Sequence, residues 1–213
     1  MHLTESNEDA VVKHVVSLIK RGGVVAAPTD TVYGLICDSL RESAVKKVFR
    51  IKARSHHKAM PVFVRDAEMA KRYAYIEKEL MGLLGELWPG QTTVVLRKRE
   101  AMPDWITGEM KTVAMRIPDH SFVRKILDEF PNPLVGTSAN LSGSEAAQSA
   151  AEIQNTFAKH IPCPELIVDG GRLPPSPPST ILDLTNPRNP KILRMGAITK
   201  EKLDEFLRHW HKK

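Results

Sequence analysis

Two short polar stretches of this sequence carry side chains that could bind a ligand or take part in catalysis. "PTDTVYGL" (28–35) follows the apolar "VVAA", and "GTSANLSG" (136–143) follows "PLV". Hydroxyl, amide and carboxyl groups after a buried strand shape a concave polar surface. Each stretch also has a purely structural explanation, because Thr29 and Asp30 could form a turn and Ser138 could cap a following segment. Taken alone, neither stretch decides between a binding site and a local turn.

Fixed cations stand in three further motifs. "KAR" ends a basic segment with Lys52 and Arg54, "TVAMR" ends at Arg116, and "LRMG" contains Arg194. "PSTILDL" adds the hydroxyl of Ser179 at another expected strand end. Singly, these cations could be a solvated helix end or surface ion-pair partners. Their joint occurrence in one short chain favours a polyanionic ligand that also bears a carboxylate, bound where loops follow strands.

Several familiar catalytic and binding patterns are absent from the sequence. Neither G-x-x-x-x-G-K-[ST] nor G-x-G-x-x-G occurs, so a nucleotide would have to be bound through other residues than those of these two motifs. Asn140 replaces the second glycine of a G-x-S-x-G nucleophile elbow, and no histidine is placed to activate Ser138. The histidines lack the spacing of a known zinc site, so we predict no metal bound by protein ligands alone.

The composition indicates a globular protein with excess positive charge. The 213 residues suffice for one domain with a substantial core, and 42% of them are apolar. Lysine and arginine exceed aspartate and glutamate by 31 − 25 = 6, and residues 46–58 contain no acid. This charge suits an anionic partner such as a nucleotide or RNA. No apolar run could span a membrane, and two distant cysteines suggest a reduced, cytoplasmic setting.

Helical and strand patterns alternate along the chain and predict a single α/β or α+β domain. Helical spacing of apolar residues indicates helices around 11–19, 44–51, 66–87, 120–129 and 149–160, and from about 200. Short apolar runs indicate strands at "VVAA", "PVFV", "TTVVLRK", "VAMRIP", "PLVGT", "ELIVDGG", "STILDL" and "KILRMG". Because the later strands are not cleanly interleaved with helices, we expect a mixed sheet flanked by helices. The proline-rich "RLPPSPPS" (172–179) is predicted as a surface loop.

Eight motifs in their order resemble those of the Sua5/YciO/YrdC family. They are "PTDTVYGL", "KAR", "LWPGQTTVVL", "TVAMRIPDH", "TSANLSG", "VDGG", "STILDL" and "LRMGAI", and they span roughly residues 10–200. The resemblance implies a YrdC-like fold, a twisted mixed β-sheet flanked by helices with a large basic cavity. It also implies the short form of the family, with residues 1–213 as a single domain and no C-terminal Sua5 domain.

The resemblance implies an activity as well. Active members of the family are nucleotidyltransferases that condense L-threonine, bicarbonate and ATP to threonylcarbamoyl-AMP and pyrophosphate. The product serves N6-threonylcarbamoylation of adenosine 37 in tRNA (t6A) by a downstream transferase. The implied cofactor is Mg²⁺ that arrives with ATP, and no organic prosthetic group or membrane partner is expected.

Residue roles follow from the same resemblance. The lysine–arginine–serine–asparagine tetrad of the synthases is complete, and it makes up the catalytic set Lys52, Arg54, Ser138 and Asn140. The implied ATP-binding residues are Lys52, Arg54, Lys58, Thr112, Ser138, Asn140 and Arg194. The implied threonine-binding residues are Thr31, Tyr33, Arg116, Gly136 and Ser179. Lys58 stands where many synthases have asparagine, and Phe63 stands where longer members often have histidine. Both differences affect the rim of the expected pocket.

Three alternatives stay open at this point. One is a family branch that has lost the tetrad, although the tetrad is intact here. A second is an RNA-binding protein of the same fold that holds double-stranded RNA or tRNA without synthase activity. With three tyrosines and three tryptophans, the chain offers few base-stacking side chains for that role. The third is a carbamoyl-transfer domain of the hydrogenase-maturation type, which normally sits in a much longer chain with zinc-binding parts.

Overall fold

One nine-stranded sheet forms the centre of the part of the protein that the structure describes. The computed structural model describes residues 1–211, except the side chains of His209 and His211. The strands are β1 (Val25–Ala27), β2 (Gly34–Asp38), β3 (Val62–Phe63), β4 (Thr92–Arg97), β5 (Thr112–Arg116), β6 (Leu134–Ser138), β7 (Leu166–Ile167), β8 (Thr180–Asp183) and β9 (Lys191–Arg194). Their order across the sheet is β7-β1-β2-β6-β3-β5-β4-β8-β9. The pairs β1–β7, β3–β5 and β4–β8 are parallel and the others antiparallel, so the predicted mixed sheet is confirmed.

Eight helices accompany the sheet in the described part of the chain. They are α1 (Glu8–Lys20), α2 (Glu42–Ile51), α3 (Ala67–Tyr73), α4 (Leu80–Leu87), α5 (Asp104–Thr107), α6 (Ser121–Glu129), α7 (Ala150–Phe157) and α8 (Lys200–His211). Their apolar residues recur every three or four positions, which gives each longer helix one face to bury. None of these helices is long and apolar enough to cross a lipid bilayer.

Two hydrophobic cores lie on opposite faces of the sheet because side chains alternate along a strand. In β1, Val25 and Ala27 face the core formed with α1 and α6. Ala26 between them faces the core formed with α2, α3 and α4. The same alternation in β4 directs Val94 and Leu96 to that second core, while Thr93 and Val95 face the cavity described below.

The observed elements differ from the predicted ones at three places. Strand β2 lies within "YGLICD" and was not predicted, because the polar motif that overlaps its start indicates a loop. The helical stretch predicted at 66–87 is two helices, because Ala74 pairs with Lys98 at the end of β4 and extends the chain between them. The short α5 was not predicted, since four residues carry no periodic signal. The proline-rich segment 172–179 is an irregular, largely exposed loop, as predicted.

Candidate functional site

A cavity of ≈ 440 Å³ lies against one face of the sheet, within the size range of small-molecule sites. Alternate residues of four strands form its floor: Thr93 and Val95, Thr112, Ala114 and Arg116, Gly136 and Ser138, and Ile181 and Asp183. Loops before β2 and after α2, together with the edge strand β9, form its walls. The sequence predicts a site at the strand ends only. The observed site also extends across the face of the sheet.

Eight of the twelve predicted site residues line this cavity. They are Thr31, Arg54, Thr112, Arg116, Gly136, Ser138, Ser179 and Arg194. The side chains of Lys52 and Asn140 lie directly behind its wall, as described below. Tyr33 and Lys58 are not brought to the cavity. Of the charged residues among the described lining, three are arginines and one, Asp183, is acidic.

Lys52 fastens the "TSAN" segment to the end of α2. Its ammonium group donates to the backbone oxygens of Ser138 and Asn140, the latter at 2.9 Å, and to the Asn140 side-chain oxygen at 3.0 Å. The Ser138 hydroxyl donates to the same Asn140 oxygen at 2.6 Å. All three N–H groups of the lysine are thereby occupied, and the residue is only 2% exposed. The predicted tetrad residues Lys52, Ser138 and Asn140 thus form one hydrogen-bonded network.

Arg54 reaches the cavity because the chain turns sharply between it and Lys52. Ala53 has a φ of 47°, in the left-handed region, which ends α2 and directs neighbouring side chains to different sides. One Arg54 amino group donates to the Ala59 carbonyl at 2.8 Å, while its buried Nε has no hydrogen-bond partner in the described structure. A buried N–H group of a cation that lacks a protein acceptor could instead donate to an anionic ligand.

Lys52 and Arg54 both lack an acidic partner among the described residues, so this part of the cavity should attract an anion. In the described structure, no carboxylate forms an ion pair with Lys52 or Arg54. Burial lowers the pKa of Lys52 to about 8, with repulsion from Arg54 as the second cause. Burial also lowers the pKa of Arg54. A bound polyanion would relieve both the repulsion and the unfavourable burial of charge.

Another part of the cavity wall is built by the "PTDT" segment. The Thr29 hydroxyl donates to the Val32 carbonyl at 2.7 Å and lies 3.2 Å from the Thr31 hydroxyl oxygen. Because the Thr29 proton is used, the Thr31 hydroxyl is the donor between the two. Arg116 then donates to Thr31 at 3.3 Å and forms an ion pair with Asp30. Here the arginine is charge-compensated, unlike Arg54.

The third wall comes from β8, β9 and the loop between β7 and β8. Arg194 donates to the Ser179 carbonyl from Nε and from an amino group, at 3.3 and 2.7 Å. The Ser179 hydroxyl lies 2.8 Å from that of Thr93 on β4. Arg194 and Ser179 are thereby held at the rim beside the apolar side chains of Leu193 and Met110. A cation next to apolar side chains suits a ligand with both a phosphate and a ring.

Tyr33, predicted to bind threonine, and Lys58, predicted to bind ATP, do not line the cavity. Tyr33 is fully buried, and its hydroxyl donates to the Gly171 carbonyl at 2.6 Å and accepts from the Gly170 amide at 3.0 Å. It therefore fixes the "VDGG" motif against the "PTDT" segment from inside the core. Lys58 is exposed and does not line the cavity. Motif position alone could not show on which side of the chain either side chain lies.

Sequence reasoning missed cavity residues that lie inside strands. Thr93, Ala114 and Asp183 line the cavity, but they belong to the segments "TTVVLRK", "TVAMR" and "STILDL", which we had assigned as strands. The period of two was a usable signal, because residues i and i+2 from neighbouring strands share a face. Following it outward from Arg116 and Ser179 would have identified Ala114 and Ile181 as floor residues.

Gly136 is needed at the cavity floor because the Phe63 ring occupies the adjacent space. A Cβ atom at position 136 would come within 2.6 Å of the ring carbons of Phe63. We therefore expect Gly136→Ala to displace the ring, to raise the KM for a ligand bound in the cavity, and to cost about 1–3 kcal/mol in unfolding free energy. Gly82→Ala is the matched control, since nothing lies within 4 Å of its Cβ position. Thermal unfolding and ligand titration of both variants check this, and equal behaviour of the two would contradict it.

Comparisons with known proteins agree with the motif resemblance. The Sua5_yciO_yrdC family model, described as "Telomere recombination", matches residues 17–196. The chain is 34% identical over 208 residues to a threonylcarbamoyl-AMP synthase of Pyrococcus abyssi, covering 97% of this chain and 60% of that protein. It is 32% identical over 201 residues to a putative threonylcarbamoyl-AMP synthase of Methanocaldococcus jannaschii, covering 94% of this chain and 93% of that protein.

A solved structure shares the fold. The crystal structure of P. abyssi Sua5 complexed with L-threonine matches with a TM-score of 0.89 at 33% identity, over 97% of this chain and 60% of that one. This chain therefore spans about 60% of the length of the Pyrococcus protein and nearly all of the Methanocaldococcus one. The predicted fold is confirmed by this similarity.

Proposed function

Because this chain belongs to the Sua5/YciO/YrdC family, we propose that it is a threonylcarbamoyl-AMP synthase, and hence a nucleotidyltransferase. It condenses L-threonine, bicarbonate and ATP to threonylcarbamoyl-AMP and pyrophosphate. The observation that supports this most directly is the charge pattern of the cavity. Arg54 lacks an acidic partner in the described structure, whereas Arg116 is paired with Asp30, so the cavity offers two chemically different cations, one suited to a polyphosphate and one to an amino-acid carboxylate.

The residues fall into two groups in this proposal. Arg54 and Arg194 bind the phosphates of ATP, and Ser138 closes this subsite in a position fixed by Lys52 and Asn140. Arg116 receives the threonine carboxylate, while Thr31 offers a hydroxyl lone pair for a donor of the substrate. Thr112 and Gly136 lie on the floor between the two groups.

The chemistry needs positioning and charge neutralisation more than a covalent nucleophile. The threonine amine combines with bicarbonate-derived carbon dioxide to give a carbamate and a proton. A carbamate oxygen then attacks the α-phosphorus of ATP, a new P–O bond forms, and the bond to the departing pyrophosphate breaks. Fixed cations stabilise the charge on the phosphate oxygens and hold the reactants in line. This accounts for the arginines and hydroxyls, rather than a nucleophile–base pair, among the described residues that line the cavity.

Mg²⁺ fits this site as an ion that accompanies the nucleotide. Asp183 supplies one carboxylate among the lining residues, and its Oδ1 accepts only from the Thr185 amide at 2.8 Å in the described structure. One carboxylate together with phosphate oxygens and water is a common way of holding Mg²⁺. When bound, the ion supplies charge neutralisation at the phosphates. We propose no organic prosthetic group.

The product points to a place in tRNA modification. Threonylcarbamoyl-AMP is an activated mixed anhydride, so its consumer is a transferase that acylates the N6 amine of adenosine 37 in tRNA. We propose tRNA and this transferase machinery as downstream partners, and a cytoplasmic location, where tRNA is modified. The catalytic chemistry described above requires neither partner.

Omission of each substrate in turn tests the proposal. Purified protein incubated with ATP, Mg²⁺, threonine and bicarbonate should form threonylcarbamoyl-AMP, detected by mass spectrometry, with pyrophosphate released in equal amount. Each of the three substrates should be required. Pyrophosphate release that is independent of threonine or bicarbonate would contradict the assignment.

The RNA-binding alternative predicts a different result in the same preparation. The basic segment 46–58 supports this alternative, because Lys46 and Arg50 are exposed on α2, outside the cavity. Tight binding of double-stranded RNA or tRNA without adenylate formation would favour that alternative. Adenylate formation, with or without RNA binding, favours the synthase.

A further inference from the structure

Asp30, the acidic residue of "PTDT", forms a buried ion pair with Arg116 but has no role of its own in the proposed reaction. Its carboxylate pairs with an amino group of Arg116, and the two side chains are only 9% and 4% exposed. The other carboxylate oxygen accepts from the Asp119 amide at 3.2 Å. Its backbone oxygen accepts from the Gln91 side chain at 2.8 Å. Asp30 therefore joins three loops on the outer side of the cavity wall.

Arg116 is held on three sides by this arrangement. Its Nε donates to the Gly90 carbonyl at 2.8 Å, one amino group to Thr31 at 3.3 Å, and the other to Asp30. A guanidinium has five N–H groups, so 5 − 3 = 2 remain for a ligand. Burial lowers the pKa of Arg116, and the Asp30 carboxylate acts in the opposite direction, which favours the charged form.

Compensation of its charge distinguishes Arg116 from the other arginines of the cavity. Arg54 and Arg194 form no ion pair in the described structure, although they line the same space. A polyphosphate carrying several negative charges is drawn most strongly to uncompensated cations. A carboxylate with one charge gains mainly from two directed hydrogen bonds, which Arg116 still offers.

We propose that Asp30 is a positioning residue that sorts the two anionic substrates. It fixes the Arg116 guanidinium for the amino-acid carboxylate and, by cancelling its charge, keeps phosphate groups from occupying that position. ATP and threonine then bind side by side without competing. This inference rests on the proposed function, since it assigns a task within the same reaction.

The charge of Asp30 can be separated from its shape by two variants. Asp30→Asn keeps the size and removes the charge, so ATP should now compete for Arg116. We expect the KM for threonine in Asp30→Asn to rise with ATP concentration, by about tenfold or more at high ATP, because one partner of a buried charge pair is gone. In the unaltered protein it should not depend on ATP.

Asp30→Glu keeps the charge and alters the shape, and we expect it to retain a threonine KM that is independent of ATP. A merely structural position would tolerate the isosteric asparagine better than the larger glutamate, so the opposite order of the two variants overturns the proposal. Glu165→Gln is the matched control, because Glu165 pairs with Lys47 away from the cavity. It should leave both KM values unchanged.

A measurement on the unaltered protein keeps the proposal testable if Asp30→Asn does not fold. Inorganic tripolyphosphate should inhibit competitively against ATP and not against threonine. Competition against threonine in the unaltered protein would overturn the sorting role. If the unaltered protein forms no threonylcarbamoyl-AMP at all, the proposed function fails. If it does and the variants behave alike, only the role of Asp30 fails.

Discussion

Arg54→Ala should reduce kcat for adenylate formation by about 10²- to 10³-fold, the usual cost of removing one preorganised donor from a developing charge. Arg54 is the cavity cation whose Nε is buried without a partner, and no carboxylate in the described structure competes for it. Its free donors therefore become satisfied only when a polyanion binds. The measurement is steady-state formation of threonylcarbamoyl-AMP at saturating substrates.

The fold should survive this substitution. The Arg54 side chain makes one hydrogen bond in the described structure, to the Ala59 carbonyl, and burial of its charge without a counter-ion is itself unfavourable. We expect the far-UV circular dichroism spectrum and the unfolding midpoint to remain close to those of the unaltered protein. Arg50→Ala, which removes an exposed arginine of the preceding helix α2 outside the cavity, should keep its activity. Activity of Arg54→Ala equal to that control would contradict the assignment of Arg54 to the triphosphate.

The helices of this fold were largely predictable because each buries one face. Apolar spacing identified α1, α2, α6, α7 and α8, and the mixed character of the sheet followed from strands that are not separated by helices. The order of the strands across the sheet was not predictable from apolar spacing. The neighbours β4 and β8, for example, are distant in sequence, and hydrophobic patterning does not specify which strands pair.

The site was predictable in composition but less so in geometry. Motif resemblance selected residues that mostly lie at one cavity, because hydroxyls and cations in these motifs come together through β5, β6 and β8. It did not show that Tyr33 lies in the core or that Asp30 pairs with Arg116. Such facts depend on rotamers and on contacts between segments far apart in sequence, which no local pattern encodes.

Lys52→Met should separate activity from stability. Methionine fills nearly the same volume but cannot donate, so Ser138 and Asn140 lose the ammonium group that holds them. A shift of this wall by about 1 Å is enough to cost about 10²-fold in rate. Lys46→Met, which replaces an exposed lysine of α2, should leave the activity unchanged.

Two opposing effects should keep the loss of stability small in Lys52→Met. Acceptors left without a donor cost about 1–3 kcal/mol each when buried. Against this, the variant no longer buries an ammonium group that has no counter-ion and lies near Arg54. Chemical denaturation should therefore show a much smaller change than the activity does. A large drop in both would mean that the lysine mainly supports the fold.

The pH dependence provides a second, independent readout of Lys52, because its pKa is lowered from 10.5 to about 8. The kcat/KM for ATP, which reports the free enzyme, should fall as the pH rises through about 8 and the ammonium group loses the proton that its third hydrogen bond needs. The contribution of Lys52 to the free energy of unfolding should instead increase with pH. Between pH 8 and 10.5 the unfolded state binds more protons at this site, so that contribution rises with pH. Lys52→Met should lack both trends, and an unchanged alkaline fall in its residual activity would assign the titration to another group.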